Sequence, residues 1–242
     1  MKVALCFFGI VGGNKGKNGK GGYIDYELCA EHYKKHIINN NDVDVFMHTW
    51  SHELEKELTE IYEPKDAIFQ EQIDFDVSKM KPKDRDKYWR ASSRWYSNKQ
   101  VLDLVRKKEN ESGEKYDIVM VTRFDTMFFK DINFEDYDPS NFYAANWNAD
   151  VIKGKYWVSK TENLSVTRGK RLADLWFFSN SDYMNKFSEL YDSMDKYHIS
   201  PHKGSWEYLM TFMKISDIKY VLWRHFDYEL YRWSVLKEHH LK

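Results

Sequence analysis

At 242 residues the chain is long enough for one large hydrophobic core or two small ones. Its 37 basic and 38 acidic residues leave a formal charge of -1, which argues against a strongly basic nucleic-acid binder. No segment reads as long and apolar enough to cross a bilayer, and the two cysteines, Cys6 and Cys29, sit in apolar-patterned segments as expected of reduced thiols. The expected compartment is therefore cytoplasmic, at most peripheral to a membrane.

Val3 to Phe8 is a continuous apolar run, the pattern of a strand buried on both faces. It is short and runs straight into glycines, so it reads as a first strand and not as a signal peptide. Gly9 to Gly22 is rich in Gly, Lys and Asn, yet it fits neither a P-loop nor a dinucleotide fingerprint. Lys15 to Gly22 reads as a lysine-rich surface loop. Phe8 to Gly13, including Gly9 and Gly12, lies at the strand end, where backbone can approach a phosphate or base.

Tyr26, Cys29, Ala30, Tyr33 and Ile37 recur at helical spacing and predict a helix that runs out at Asn39 to Asn41. A second strand, Val43 to Met47, ends in His48-Thr-Trp-Ser51. A lone histidine on a strand is more often a core or hydrogen-bonded residue than a ligand, and Thr49 and Trp50 are the better nucleotide contacts. A charged region follows to about Lys87, broken at Pro64 and Pro82, with a short apolar segment at Ala67 to Phe69. Ser92 or Ser93 is the expected cap of a helix with Trp95, Leu102 and Val105 on its apolar face. Arg94 and Lys99 fall in this basic stretch, Arg90 to Lys99, which reads either as an anion site at a helix start or as a solvated basic face.

The segment Tyr116 to Phe129 carries the most information. Ile118 to Val121 predicts a buried strand whose exit presents Arg123 and Asp125. Ligands of α/β proteins bind at such exits; Arg123 can pair with a phosphate, and Asp125 can hold a metal or a sugar hydroxyl. The order strand, helix, strand, helix, strand implies right-handed crossovers and a largely parallel sheet.

The second half predicts short strands at Phe142 to Ala145, Tyr156 to Ser159 and Leu175 to Phe178. An amphipathic helix follows, with Ser181 near its cap and Tyr183, Met184, Phe187, Leu190, Tyr191 and Met194 on one face. Another helix starts near Ser205, and a last strand, Tyr220 to Trp223, precedes a polar tail. Asp174 and Glu207 are candidate bases for an acceptor hydroxyl; alternatively Asp174 caps a turn and Glu207 stabilises the first turn of its own helix. The 9 Trp, 17 Tyr and 15 Phe fill a core and leave some rings to line a groove for a base or sugar. No internal repeat or linker divides the chain. One domain, 1–242, is expected, with a nucleotide-sugar half to about 130 and an acceptor half after it.

With these residues in place the chain resembles glycosyltransferases of the GT-A fold, notably small bacterial and viral sugar transferases. The resemblance rests on Asp44 to Trp50, the Ser93 to Lys99 stretch, Tyr116 to Asp125, Leu172 to Phe178 and Trp206 to Leu209. It implies an α/β, Rossmann-like, mostly parallel sheet flanked by helices. It implies transfer of a sugar from a UDP- or GDP-sugar to a glycan or other hydroxyl acceptor. Phe8, Gly9, Gly12, Thr49, Trp50, Arg94, Lys99, Arg123 and Asp125 would bind the donor, and Asp174 or Glu207 would be the base of an inverting reaction. In that family the central strand ends in Asp-x-Asp and binds Mn2+ or Mg2+. Here it reads Arg123-Phe124-Asp125, so Asp125 alone is the implied metal ligand, and Arg123 can neutralise diphosphate charge instead. A non-catalytic glycan-binding module and a sugar nucleotidyltransferase are the competing readings.

Overall fold

The computed structural model describes residues 1–11, 25–146, 151–152, 155–156, 172–215, 218–223 and 227–231. Strand β1 (Lys2–Gly9) lies inside the sheet because its side chains are apolar on both faces. Val3, Leu5 and Phe7 enter one core cluster; Ala4, Cys6 and Phe8 enter the other, as the two-residue side-chain period of a strand requires. Its parallel neighbours are β2 (Asp42–Thr49) and β4 (Ile118–Arg123), and β3 (Asp66–Phe69) extends the sheet beyond β2.

Strands from the second half join the same sheet. β9 (Trp176–Ser179) runs antiparallel between β4 and β6 (Phe142–Asn146), and β10 (Ile218–Trp223) pairs in parallel with β6. The seven strands are ordered β10-β6-β9-β4-β1-β2-β3. Two small antiparallel pairs stand apart, β5 (Thr126–Phe128) with β11 (Tyr228–Leu230), and β7 (Val151–Ile152) with β8 (Lys155–Tyr156).

Helices cover both faces. α1 (Tyr26–His36) and α2 (Glu55–Tyr62) bury Tyr33, Leu58 and Tyr62 in one cluster. α3 (Arg85–Ser112), α4 (Ser181–Ser188) and α5 (Pro201–Thr211) bury Trp95, Leu102, Phe187 and Tyr208 in the other. The chain therefore steps outward from β1 to β3 over one face and returns through α3 over the other, to place β4 beside β1. At such a reversal the loops leaving adjacent strand ends diverge and open a crevice. The result is an α/β fold with a mostly parallel central sheet flanked by helices.

Several boundaries differ from the sequence reading. The charged region to Lys87 contains α2 and β3, one more helix–strand unit than the pattern predicts. α3 starts at Arg85, so Ser92 is interior, and its hydroxyl donates to the Tyr88 carbonyl one turn back at 2.9 Å instead of capping. Asn180 caps α4 through its side chain. α5 starts at Pro201, which puts Glu207 in the second turn and not the first. β5 and β11 have no counterpart in the prediction. Gly12, most of the glycine loop and most of the predicted strand Tyr156 to Ser159 lie outside the described residues. Cys6 and Cys29 are both buried, unpaired thiols. Among the described residues no helix is long and apolar enough to cross a membrane.

Candidate functional site

The three strand exits at the crevice are held by short polar links. Gly9 has φ +97°, a left-handed conformation that only glycine adopts without strain. Its N–H donates to Ser97 Oγ at 2.9 Å and its carbonyl accepts from Trp50 N–H at 3.2 Å. Ser97 Oγ also meets His48 Nδ1 at 2.6 Å, so α3 ties the ends of β1 and β2 together. His48 is fully buried, and burial lowers its pKa to about 4. It is a neutral structural residue beneath the site.

Above this clasp is a cavity of about 650 Å³, within the size range of small-molecule sites. Phe8, Gly9 and Trp50 form one wall at the exits of β1 and β2; Arg94 from α3 and Arg123 and Asp125 from the exit of β4 form the floor. Asp174, just before β9, closes one side. The segment His198 to Pro201, leading into α5, closes another. Lys87, Trp89 and Arg90, on the first turns of α3, also line the cavity, with Ile10, Gln72 and Ser93.

Arg123 and Asp125 form a bidentate pair: Nε donates to Oδ1 and Nη2 to Oδ2, both at 2.7 Å. Asp125 is almost wholly buried. Burial pulls the Arg123 pKa down, but Asp125 and then Asp174 outweigh it and leave it above the ordinary value. Arg123 thus stays a cation, clamped at its Nε edge.

Arg94 is the least satisfied charge in the cavity. Only 8% of its side chain is exposed, and among the described residues its ion pair is Nη1 to Asp174 Oδ2 at 3.3 Å. The guanidinium carbon lies 4.5 Å from the Phe8 ring centroid and 4.8 Å from that of Trp95. Buried Nε and Nη2 have no hydrogen-bond partner among the described residues. Burial lowers its pKa to about 10; Asp174 opposes the drop and Arg123 adds to it. A buried guanidinium with idle donors beside a second arginine favours an anion strongly.

The structure therefore brings Phe8, Gly9, Trp50, Arg94, Arg123, Asp125 and Asp174 together. Three other sequence candidates lie off the cavity wall. The Thr49 hydroxyl is buried and accepts from Ser51 N–H at 3.0 Å, closing the turn after β2. Lys99 pairs with Asp192. Glu207 Oε2 accepts from His198 N–H at 2.7 Å and so anchors the loop that forms one wall. The stretch Arg90 to Lys99 begins in the second turn of α3, past the helix start, which removes the helix-start reading of its anion affinity.

The sequence reading missed Lys87, Trp89 and the segment His198 to Pro201. Ser200-Pro201 is a helix-start signal, because proline at the first helical position has no N–H to leave unpaired; it marks where this loop meets α5.

Asp125 does not fit the divalent ion that the resemblance implies. Both its oxygens accept from a guanidinium, and a cation already sits where the metal charge would be. Among the described residues no three His, Cys, Asp or Glu side chains gather as a metal cluster.

No protein-family model matches this chain, and neither does any curated protein sequence.

Proposed function

We propose that this protein is a nucleotide-sugar-dependent glycosyltransferase that moves a sugar from a UDP- or GDP-sugar to a hydroxyl acceptor. The observation that carries the reading is Arg94, a buried cation with idle donors beside Arg123, in a ligand-sized cavity where parallel strands end. A diphosphate matches that cation pair, and Phe8 and Trp50 offer flat faces to a base.

In the proposed reaction the acceptor oxygen attacks the anomeric carbon as the bond to the diphosphate oxygen breaks. Negative charge grows on the leaving diphosphate, and Arg94 and Arg123 stabilise it where a metal ion would otherwise act. Asp174, a second carboxylate lining the cavity, would take the acceptor proton if the reaction inverts configuration. Glu207 is off the cavity wall and holds the His198 loop. Unpaired thiols at Cys6 and Cys29 accord with a cytoplasmic location.

The test is a panel of nucleotide-sugars followed for hydrolysis and transfer, with Arg94→Lys alongside. Lysine keeps the charge and loses the planar fork. Losing one or two charge-assisted hydrogen bonds should weaken UDP or GDP binding about ten- to hundredfold, with uridine or guanosine affinity unchanged. Binding of glycans with no response to any nucleotide would overturn the proposal in favour of a glycan-binding module.

A further inference from the structure

The geometry points to a divalent transition-metal site on α1, formed by His32 and His36 and separate from the cavity. The two residues are one helical turn apart, so their side chains share a face. Their ring centroids are 5.7 Å apart with the planes inclined at 34°. One ion bonded ~2 Å from a nitrogen of each ring can span that gap.

The ring nitrogens are already sorted. His32 Nδ1 lies 2.7 Å from the Phe128 carbonyl oxygen, and His36 Nδ1 lies 2.6 Å from Asp131 Oδ1. Neither a carbonyl nor a carboxylate oxygen has a proton to give, so each Nδ1 is the donor. In neutral imidazole this leaves the lone pair on Nε2. The hydrogen bonds of both rings are made at Nδ1, and neither Nε2 is a buried orphan.

Metal-bound histidines characteristically donate their other N–H to a carboxylate or a backbone carbonyl, which fixes the ring and raises its basicity. Here one histidine has each kind of partner. A core role explains the Nδ1 contacts, since they tie α1 to the end of β5 and to the segment that follows it. It does not explain why two rings sharing one helix face both turn Nδ1 inward and leave the Nε2 lone pair to the other edge. The soft-to-borderline imidazole pair selects Zn2+, Cu2+ or Ni2+ over Mg2+, with water completing the coordination.

The decisive measurement is equilibrium dialysis of the full chain, free of any affinity tag, against Zn2+ or Mg2+. A His239→Ala/His240→Ala background removes the adjacent histidines near the C-terminus. One equivalent of Zn2+ and no Mg2+ should bind, and His32→Ala should abolish uptake. His36→Ala is less informative because His36 is buried, so Asp131→Asn is the second variant. It retains both ligands and should weaken Zn2+ binding about ten- to hundredfold. Absence of Zn2+ uptake, or unchanged uptake by His32→Ala, would overturn the assignment. Both outcomes are independent of nucleotide binding at the cavity.

Discussion

Arg123 and Asp125 are buried together, and that changes what a mutation of either one reports. Asp125→Ala leaves the Arg123 guanidinium without its bidentate partner. Breaking a buried pair from one side costs about 3–5 kcal/mol. Chemical denaturation should therefore show a large loss of stability as well as a loss of transfer. Arg123→Met/Asp125→Leu removes both charges and should recover most of the stability while remaining inactive. Equal stability of wild type and Asp125→Ala would show that the pair contributes little to the fold. His48 makes a second residue-scale prediction. Its pKa is about 4 in the folded protein, against ~6.5 in an unfolded chain. The unfolded chain takes up the proton first, so stability is full above pH ~6.5 and declines as pH falls towards 4. The loss approaches roughly 3 kcal/mol by the linkage relation. Urea midpoints at pH 7 and pH 4.5 measure it, and His48→Gln should have a flatter pH profile than wild type. At this scale the sequence was informative about identity and less so about partnership. Arg123 and Asp125 stood out as charges after an apolar strand, but their mutual pairing depends on side-chain rotamers that spacing does not specify.

The segment His198 to Pro201 depends on α5 for its position. Gly204 lies where a Cβ would come within 2.5 Å of the His198 carbonyl oxygen, a backbone atom that cannot rotate away. Glu207 holds the same loop one turn further on. Gly204→Ala should cost about 1–3 kcal/mol through overpacking and should weaken nucleotide binding by moving a cavity wall. Calorimetry and a denaturation curve report the two effects, and no change in either would show that the loop yields freely. The legible elements share a physical property. β1, β2 and β4 are apolar on both faces, so their runs stand out whatever surrounds them. α2 buries only Leu58 and Tyr62 among its eight residues, and its many charges conceal a narrow apolar stripe. The first turns of α3 are concealed in the same way, which moved its expected start to Ser92. β5 and β11 have three residues each, too few for a period to appear. Lys87, Trp89 and Arg90 from the first turns of α3 and the loop His198 to Pro201 line the cavity opposite the strand exits, so the strand exits were readable and the facing segments were not.

For the molecule as a whole, the proposal predicts a ligand response without a metal. The near-neutral chain concentrates Lys87, Arg90, Arg94 and Arg123 around one cavity, with Asp125 and Asp174 as the facing carboxylates. That local excess of positive charge can take up a diphosphate directly. At a ligand concentration a hundred times its dissociation constant, binding stabilises the native state by about 2.7 kcal/mol. A domain of this size shifts by about 2–4 °C per kcal/mol, so UDP or GDP should raise the melting temperature by about 5–10 °C. A free sugar should raise it far less. Because Arg123 occupies both oxygens of Asp125, the shift and the turnover should survive EDTA and gain nothing from Mn2+. A shift that appears only with Mn2+ would mean that the Arg123–Asp125 pair opens to admit an ion, and the electrostatic role assigned to Arg123 would then pass to the metal.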